Sequence, residues 1–350
     1  MLSEQQIQKL LAELLTGDLS KYIRLYNDNF EVKNDVVVFT LEINRNDLEV
    51  IQDTNKKIEF ALKEILPDIK TNFLMTSHNS LNFNDTKNKK IAKYIIPVAS
   101  GKGGVGKSTT SINLALALQS LNKIVGILDA DIYGPSLPKL TGINIKPKVH
   151  EKKLIPQNAF GLQSMSIGFL IPEDSATIWR GPMVMSAINQ LLTEVHWQNL
   201  DFLIIDMPPG TGDAQLTLAQ KVQLTGAIIV STPQDLSLID ARKGLNMFKK
   251  VNVPILGIIE NMSYFLCNSC NSKHDIFGHG GARKEAEKLG VSFLGEIPID
   301  INLRTTSDES VPLFAKDPNN SISIIYKKIA KHIVKEIEKK EVVNPKIVIS

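Results

Sequence analysis

The sequence predicts an α/β protein: a doubly wound, mostly parallel sheet preceded by a small α+β domain. Three observations predict it. From residue 94 onward, short apolar strands alternate with helical stretches, which is the rhythm of βα units. A glycine-rich loop lies between one such strand and a helix that is apolar almost all round. A polar stretch rich in Asn and Lys, Ser77 to Lys93, separates this region from a shorter one with a different pattern.

Residues 1–76 form the smaller domain. Ser3 and Gln6 have the spacing of a capping box, and Ile7, Leu10, Leu11, Leu14 and Leu15 mark one face of the helix that follows. Val37, Phe39, Leu41 and Ile43 alternate as a strand, Leu48 to Leu66 is an amphipathic helix, and Ile69 to Met75 is a second strand. Residues 77–93 read as a linker, and 94–350 as the larger domain. There Tyr94 to Ala99 is a buried strand, and Thr109 to Leu121 a helix carrying Ile112, Leu114, Ala115, Leu116 and Leu118. Further strands are expected at Ile124–Leu128, Phe202–Ile205, Ala227–Val230, Ile255–Ile259 and Phe293–Ile297. Lys327 to Lys340 places Ile329, Ile333, Val334 and Ile337 on one face amid lysines, the pattern of a membrane-surface element or, as expected from its short length, of a packed last helix. Ligands of such sheets bind beyond the carboxyl ends of the strands, and every motif below falls at one.

Composition narrows the function classes. With 350 residues, 43% of them hydrophobic, the chain can bury a core in each of about two domains. Its 40 basic and 37 acidic residues leave a net charge of only +3, too balanced to argue for a nucleic-acid partner. No segment approaches the ~20 apolar residues of a membrane span, and Met1-Leu2-Ser3-Glu4-Gln5 has no basic signal-peptide region. The expected location is cytoplasmic, without a membrane partner. In a reducing compartment the two cysteines, Cys267 and Cys270, are a ligand or redox pair before they are a structural bridge.

Gly101-Lys102-Gly103-Gly104-Val105-Gly106-Lys107-Ser108 satisfies G-x-x-x-x-G-K-[ST]. Backbone N–H groups of such a loop wrap phosphates, Lys107 neutralises the β/γ charge, and Ser108 is placed to hold Mg²⁺. The helix opening at Thr109 adds the positive end of its dipole. The larger domain is therefore expected to be a P-loop NTPase that binds a nucleoside triphosphate. Asp129-Ala130-Asp131 follows the next strand, and two carboxylates at i and i+2 can bind metal or orient water. Leu203-Ile204-Ile205-Asp206 has Walker B character, with Asp206 able to hold Mg²⁺ through water. Pro208, Pro209, Gly210 and Gly212 then make a punctuated loop, the bistable kind of segment that can sense a γ-phosphate.

Cys267-Asn268-Ser269-Cys270 leaves three readings open. With His274 and His279 it becomes C-x₂-C-x₃-H-x₄-H, a zinc set with a tight ring. Redox exchange needs a thioredoxin-like unit, for which the sequence offers no sign. Two chains would bring four thiolates, the number a [4Fe–4S] cluster takes.

Lys102 makes the loop resemble the deviant Walker A motif, K-G-G-x-G-K-[ST], of the dimeric ATPases that include nitrogenase iron protein, MinD and ParA. The resemblance implies a homodimer closed by ATP, in which Lys102 reaches the partner's nucleotide. It also implies that Asp131 of switch I positions the attacking water, that Asp129 sits nearer Mg²⁺, and that Asn261 and Pro298 contact adenine. Deviant Walker A, D-A-D-I-Y-G-P-S, D-M-P-P-G-T-G-D, N-M-S-Y-F-x-C-x-x-C and I-F-G-H-G-G together resemble the Mrp/ApbC iron–sulfur cluster carrier ATPases over about residues 93–340. Trp179-Arg180-Gly181-Pro182 looks like a further segment of that family, without an assignable role. The family implies a [4Fe–4S] cluster bridging two chains through Cys267 and Cys270, taken from a scaffold protein and passed to apo iron–sulfur proteins. Residues 1–76 stand where bacterial members carry a MIP18-like domain, but this copy has no cysteine. The alternative is a MinD/ParA-like positioning ATPase acting on membrane or DNA, with the cysteines holding structural zinc.

Overall fold

The computed structural model describes residues 30–33, 36–43, 48–65, 70–77, 91–171, 181–212, 215–216, 218–219, 222–267 and 269–343. The expected helix after Ser3, most of the linker, and Trp179, Arg180 and Asp213 lie outside them. The chain divides into two compact units, Met1–Asn88 and Lys89–Ser350.

In the first unit β1 (Phe30–Lys33) pairs antiparallel with β2 (Val36–Ile43), and β2 pairs parallel with β3 (Lys70–Ser77) after the crossing helix α1 (Leu48–Ile65). Val37 and Phe39 alternate inward, as expected of the strand, and are buried, as are Ile51, Ile58 and Leu62 of α1. Phe39 and Phe73, opposite one another on β2 and β3, stack with ring centroids 4.9 Å apart.

The second unit is a nine-stranded sheet. Its strands are β4 (Ala92–Ser100), β5 (Val125–Asp129), β8 (Gln157–Ala159), β9 (Leu162–Ser166), β10 (Leu200–Asp206), β11 (Ala227–Ser231), β12 (Ile255–Leu266), β13 (Lys273–His274) and β14 (Phe293–Ile299). A separate small hairpin joins β6 (Val149–His150) to β7 (Lys153–Leu154). The parallel series runs β9-β5-β10-β4-β11-β12-β14, and the antiparallel β8 and β13 pair with β9 and β12. Its central strands are buried along almost their whole length, which explains their unbroken apolar runs. Helix α2 (Lys107–Gln119) is buried from Thr110 to Leu118 because α9 (Ser321–Val343) covers its outer side. Ile322, Tyr326, Ile329, Ala330, Ile333 and Ile337 form the buried stripe of α9, so its apolar face is packed. Among the described residues no helix is long and apolar enough to cross a membrane.

Beyond the short strands β1, β6, β7 and β13, which carry too few residues for a clear pattern, the structure departs from the expected strands at β9 and β12. The β8–β9 hairpin was not expected, because Ser164 and Ser166 sit at fully buried positions and break the apolar signal. Ser164 Oγ donates to the Gln157 carbonyl at 2.9 Å, which satisfies it inside the hairpin. Strand β12 runs to Leu266 rather than stopping at Ile259, since Glu260, Asn261 and Ser263 are buried polar residues with partners.

Leu114, fully buried on α2, sets a test of this packing. Leu114→Ala is expected to cost about 2–5 kcal/mol in urea unfolding followed by tryptophan fluorescence. Both tryptophans, Trp179 and Trp197, lie in this unit.

Candidate nucleotide site and cysteine hairpin

Parallel pairing lines up the ends of three strands. Asp206 of β10 stands opposite Val98 of β4 on one side and Asp129 of β5 on the other. The glycine-rich loop leaves β4 at Ser100, whose Oγ donates to the Lys102 carbonyl at 2.9 Å. A Cβ on Gly101 would lie 2.2 Å from the Asp240 backbone carbon in α5 (Asp235–Lys250), so the chain can leave the sheet only as glycine. Gly106 adopts φ 78°, and a side chain there would also meet Asn261. The cleft, about 250 Å³, is lined by Ser100, Lys102, Gly103, Gly104, Gly106, Lys107, Ser108 and Thr109, with Asp131, Ser136 and Pro209 facing them. Val105 turns inward and is buried. The loop residues singled out in the sequence thus come together at the N-terminus of α2, with Lys102 half-buried at the cleft wall.

Lys107 is buried, and its Nζ lies 2.8 Å from Asp206 Oδ1 and 3.3 Å from Ser108 Oγ. Ser111 Oγ donates to the same Asp206 oxygen at 2.8 Å. The carboxylate of Asp129, expected nearer Mg²⁺, organises the loop that follows it. Its Oδ1 accepts from Asp131 N, and its Oδ2 accepts from Ser136 N, Leu137 N and Ser166 Oγ. Burial, then the charge of Asp206, pushes the Asp129 carboxyl up to about 7 against these donors. Burial also raises Asp131, while Lys107 draws it back down. Asp206 and the Ser108 hydroxyl thus flank the Lys107 ammonium, and Asp129 and Asp131 feel its charge.

The loop after Asp206 is held from below. Met207 N donates to the Val98 carbonyl and Gly210 N to the Ser100 carbonyl, tying this segment to the P-loop strand. Buried Gln215 directs its Nε2 at the carbonyls of Pro208, Pro209 and Gly210, at 2.9, 3.4 and 3.1 Å.

At the far end of β12 a hairpin carries the cysteines. Cys267 N donates to the Ser272 carbonyl and Asn271 N to the Cys267 carbonyl, and Phe265 and Leu266 pair with His274 and Lys273. Cys267 is half-buried and Cys270 exposed. Cys270 Sγ and Ser272 Oγ share a hydrogen bond at 3.2 Å. Contacts from the Ser272 side chain and backbone, then from Cys267, hold the Cys270 thiol below its usual range, which favours the ligating thiolate. The zinc set with His274 and His279 is not assembled. Among the described residues the one group of three or more potential ligand atoms joins His279 to Glu260 and Glu296 and includes neither cysteine.

Asn261 and Pro298, expected near adenine, occupy different settings. The Asn261 amide donates to the Val105 carbonyl at 2.8 Å, and Pro298 is buried in β14. Sequence reasoning missed Ser111 and Gln215. Ser111 stands one helical turn after Lys107, on the same face, and that spacing was a usable signal. Gln215 had none, because its role depends on where a loop of prolines and glycines folds back.

The close approach at Gly101 predicts an asymmetry within one loop. In urea unfolding without nucleotide, Gly101→Ala is expected to cost about 1–3 kcal/mol, and Gly103→Ala, which meets nothing within 4 Å, to stay within about 0.5 kcal/mol.

Residues 91–334 match the family model described as the NUBPL iron-transfer P-loop NTPase of the ParA group. An Arabidopsis thaliana protein named iron-sulfur protein required for NADH dehydrogenase, mitochondrial, is 50% identical over 248 residues, covering 70% of this chain and 79% of that protein. The iron-sulfur cluster carrier protein of Haemophilus influenzae is 53% identical over 250 residues, 71% of this chain and 68% of its own. Among solved structures, a nucleotide-binding protein of Archaeoglobus fulgidus in complex with ADP superposes with a TM-score of 0.57 at 42% identity, covering 63% of this chain and 87% of that one. A P-loop with its second lysine, the aspartate at the end of β10 and a cysteine pair on one sheet accord with these matches: the chain belongs to the NUBPL family of iron-transfer P-loop NTPases.

Proposed function

We propose that this protein is an ATP-dependent iron–sulfur cluster carrier that holds its cargo at Cys267 and Cys270 and delivers it to apo-proteins. The observation that carries this reading is a cysteine pair, Cys267 half-buried and Cys270 exposed, in the hairpin at the end of a strand of the P-loop sheet, in a chain about half identical to named cluster carriers. The positioning-ATPase alternative has no use for such a pair, and the names of the relatives argue against it.

In this reading the backbone of residues 101–106 and the Lys107 ammonium bind the phosphates. Ser108 and Asp206 hold Mg²⁺, with Asp129 one layer behind; when bound, the ion neutralises charge on the β- and γ-phosphates. Asp131, at the cleft rim, orients the attacking water. Asn261 and Pro298 lie toward the adenine ring. Lys102 crosses to the nucleotide of a second copy in a homodimer, where it stabilises charge in the transition state as an arginine finger does. Each chain supplies two thiolates, so two copies complete the four ligands of a [4Fe–4S] cluster. The cluster arrives from a scaffold protein in the cytoplasm, and movement of the loops around Asp131 and Pro209 with the γ-phosphate governs its release.

Anaerobic reconstitution with iron and sulfide tests the cargo. About two irons per chain, lost in Cys267→Ala and Cys270→Ala, are expected for a shared cluster; zinc without iron would overturn it. Lys102→Ala is expected to bind nucleotide through Lys107 yet hydrolyse it about 10³-fold more slowly. A turnover rate equal to wild type would remove Lys102 from catalysis.

A further inference from the structure

Strand β12 passes the P-loop before it reaches the cysteines, and its middle is not regular. The Asn261 amide holds the Val105 carbonyl, and Met262 Cε lies 3.9 Å from where a Gly106 Cβ would stand. Met262 has φ 54°, the left-handed region, inside a strand. Pairing with β14 jumps from Asn261↔Ile297 to Phe265↔Ile299, so Met262, Ser263 and Tyr264 stand opposite Pro298 alone. This is a β-bulge, a device that redirects a strand and its side chains.

Fully buried Glu260 locks the bulge. Ser263 Oγ donates to its Oε1 at 2.6 Å, and Gly280 N donates to the same oxygen at 3.2 Å. Ala282 N donates to Oε2 at 2.7 Å, so the carboxylate sits on the N-terminus of α6 (Gly281–Leu289), the helix that follows the cysteine hairpin. With both oxygens occupied by these donors, Glu260 serves the backbone rather than a metal. Helix α6 is in turn joined to α5 by the fork of Arg242 on Glu285, at 2.6 and 2.8 Å, and α5 abuts Gly101. Both exits of the hairpin are therefore anchored to the P-loop, β12 at Val105 and Gly106, and α6 through α5 at Gly101.

We propose that Glu260 and Ser263 are positioning residues that transmit nucleotide occupancy of the P-loop to the geometry of the cysteine hairpin. This rests on the carrier reading for its purpose but not for its test. A shift of the loop on phosphate binding moves Asn261 and Met262. With the bulge clamped to α6, that shift turns both arms of the hairpin together; with the clamp released, the bulge absorbs it.

The test is the alkylation rate of Cys267 and Cys270 by N-ethylmaleimide in full-length, cluster-free protein, with and without Mg²⁺ and a non-hydrolysable ATP analogue. In the wild type the nucleotide is expected to change the rate about fivefold or more, the lower bound of ordinary site–site coupling. In Ser263→Ala and Glu260→Gln the ratio is expected to fall below about twofold, with affinity for the analogue kept within about threefold, since neither residue touches the cleft. A wild-type ratio near one, or variants that keep the wild-type ratio, overturns the clamp; shielding of the cysteines by dimer closure alone would give the latter. If Glu260→Gln does not fold, Ser263→Ala decides. A protein that shows the ratio yet never assembles a cluster would refute the carrier reading and leave the clamp standing.

Discussion

The pairing of Asp206 with Asp129 across β10 and β5 is the constraint from which the site follows. Side chains alternate along a strand, so a slip of one residue would turn either carboxylate to the opposite face of the sheet. In the observed register Asp206 meets Lys107 and Ser111 from α2, while Asp129 gathers Asp131, Ser136, Leu137 and Ser166. Two strand ends thus fix the start of a helix and the course of a loop. The apolar interior of β4, β5, β10 and β11 holds that register, because all four strands are buried on both faces.

Concentrating carboxylates at one edge of a buried sheet has an electrostatic consequence. Asp129, Asp131 and Asp206 share the Lys107 ammonium, and burial makes each further negative charge costly. The raised Asp129 and Asp131 carboxyls record that cost. That balance is the electrostatic setting in which the P-loop of this family stands.

Much of this was legible in the sequence, and for identifiable reasons. The P-loop, Asp206 and the central strands could be read because backbone phosphate cradles and doubly buried strands leave strong local patterns. The cysteine pair announced itself by spacing, but that His279 lies among glutamates and not with the cysteines could be learned only from the fold. The β8–β9 hairpin and the far half of β12 were hidden because buried serine, asparagine and glutamate carry no apolar signature. Their positions make sense only through partners distant in the chain, such as Val105 for Asn261 and Ala282 for Glu260. The four donors that surround the oxygens of Asp129, from Asp131, Ser136, Leu137 and Ser166, are an arrangement no local pattern encodes.

The Lys107–Asp206 pair also ties the site to the fold. A phosphate-binding lysine left alone in a closed interior would be an uncompensated buried charge, which costs about 3–5 kcal/mol when a pair is broken. Asp206 compensates that charge, and Ser111 donates to the same carboxylate oxygen. The strand that ends at Asp206 therefore balances the charge of the helix that begins at Lys107, and a loss of either partner would be felt by the whole sheet and not by the cleft alone.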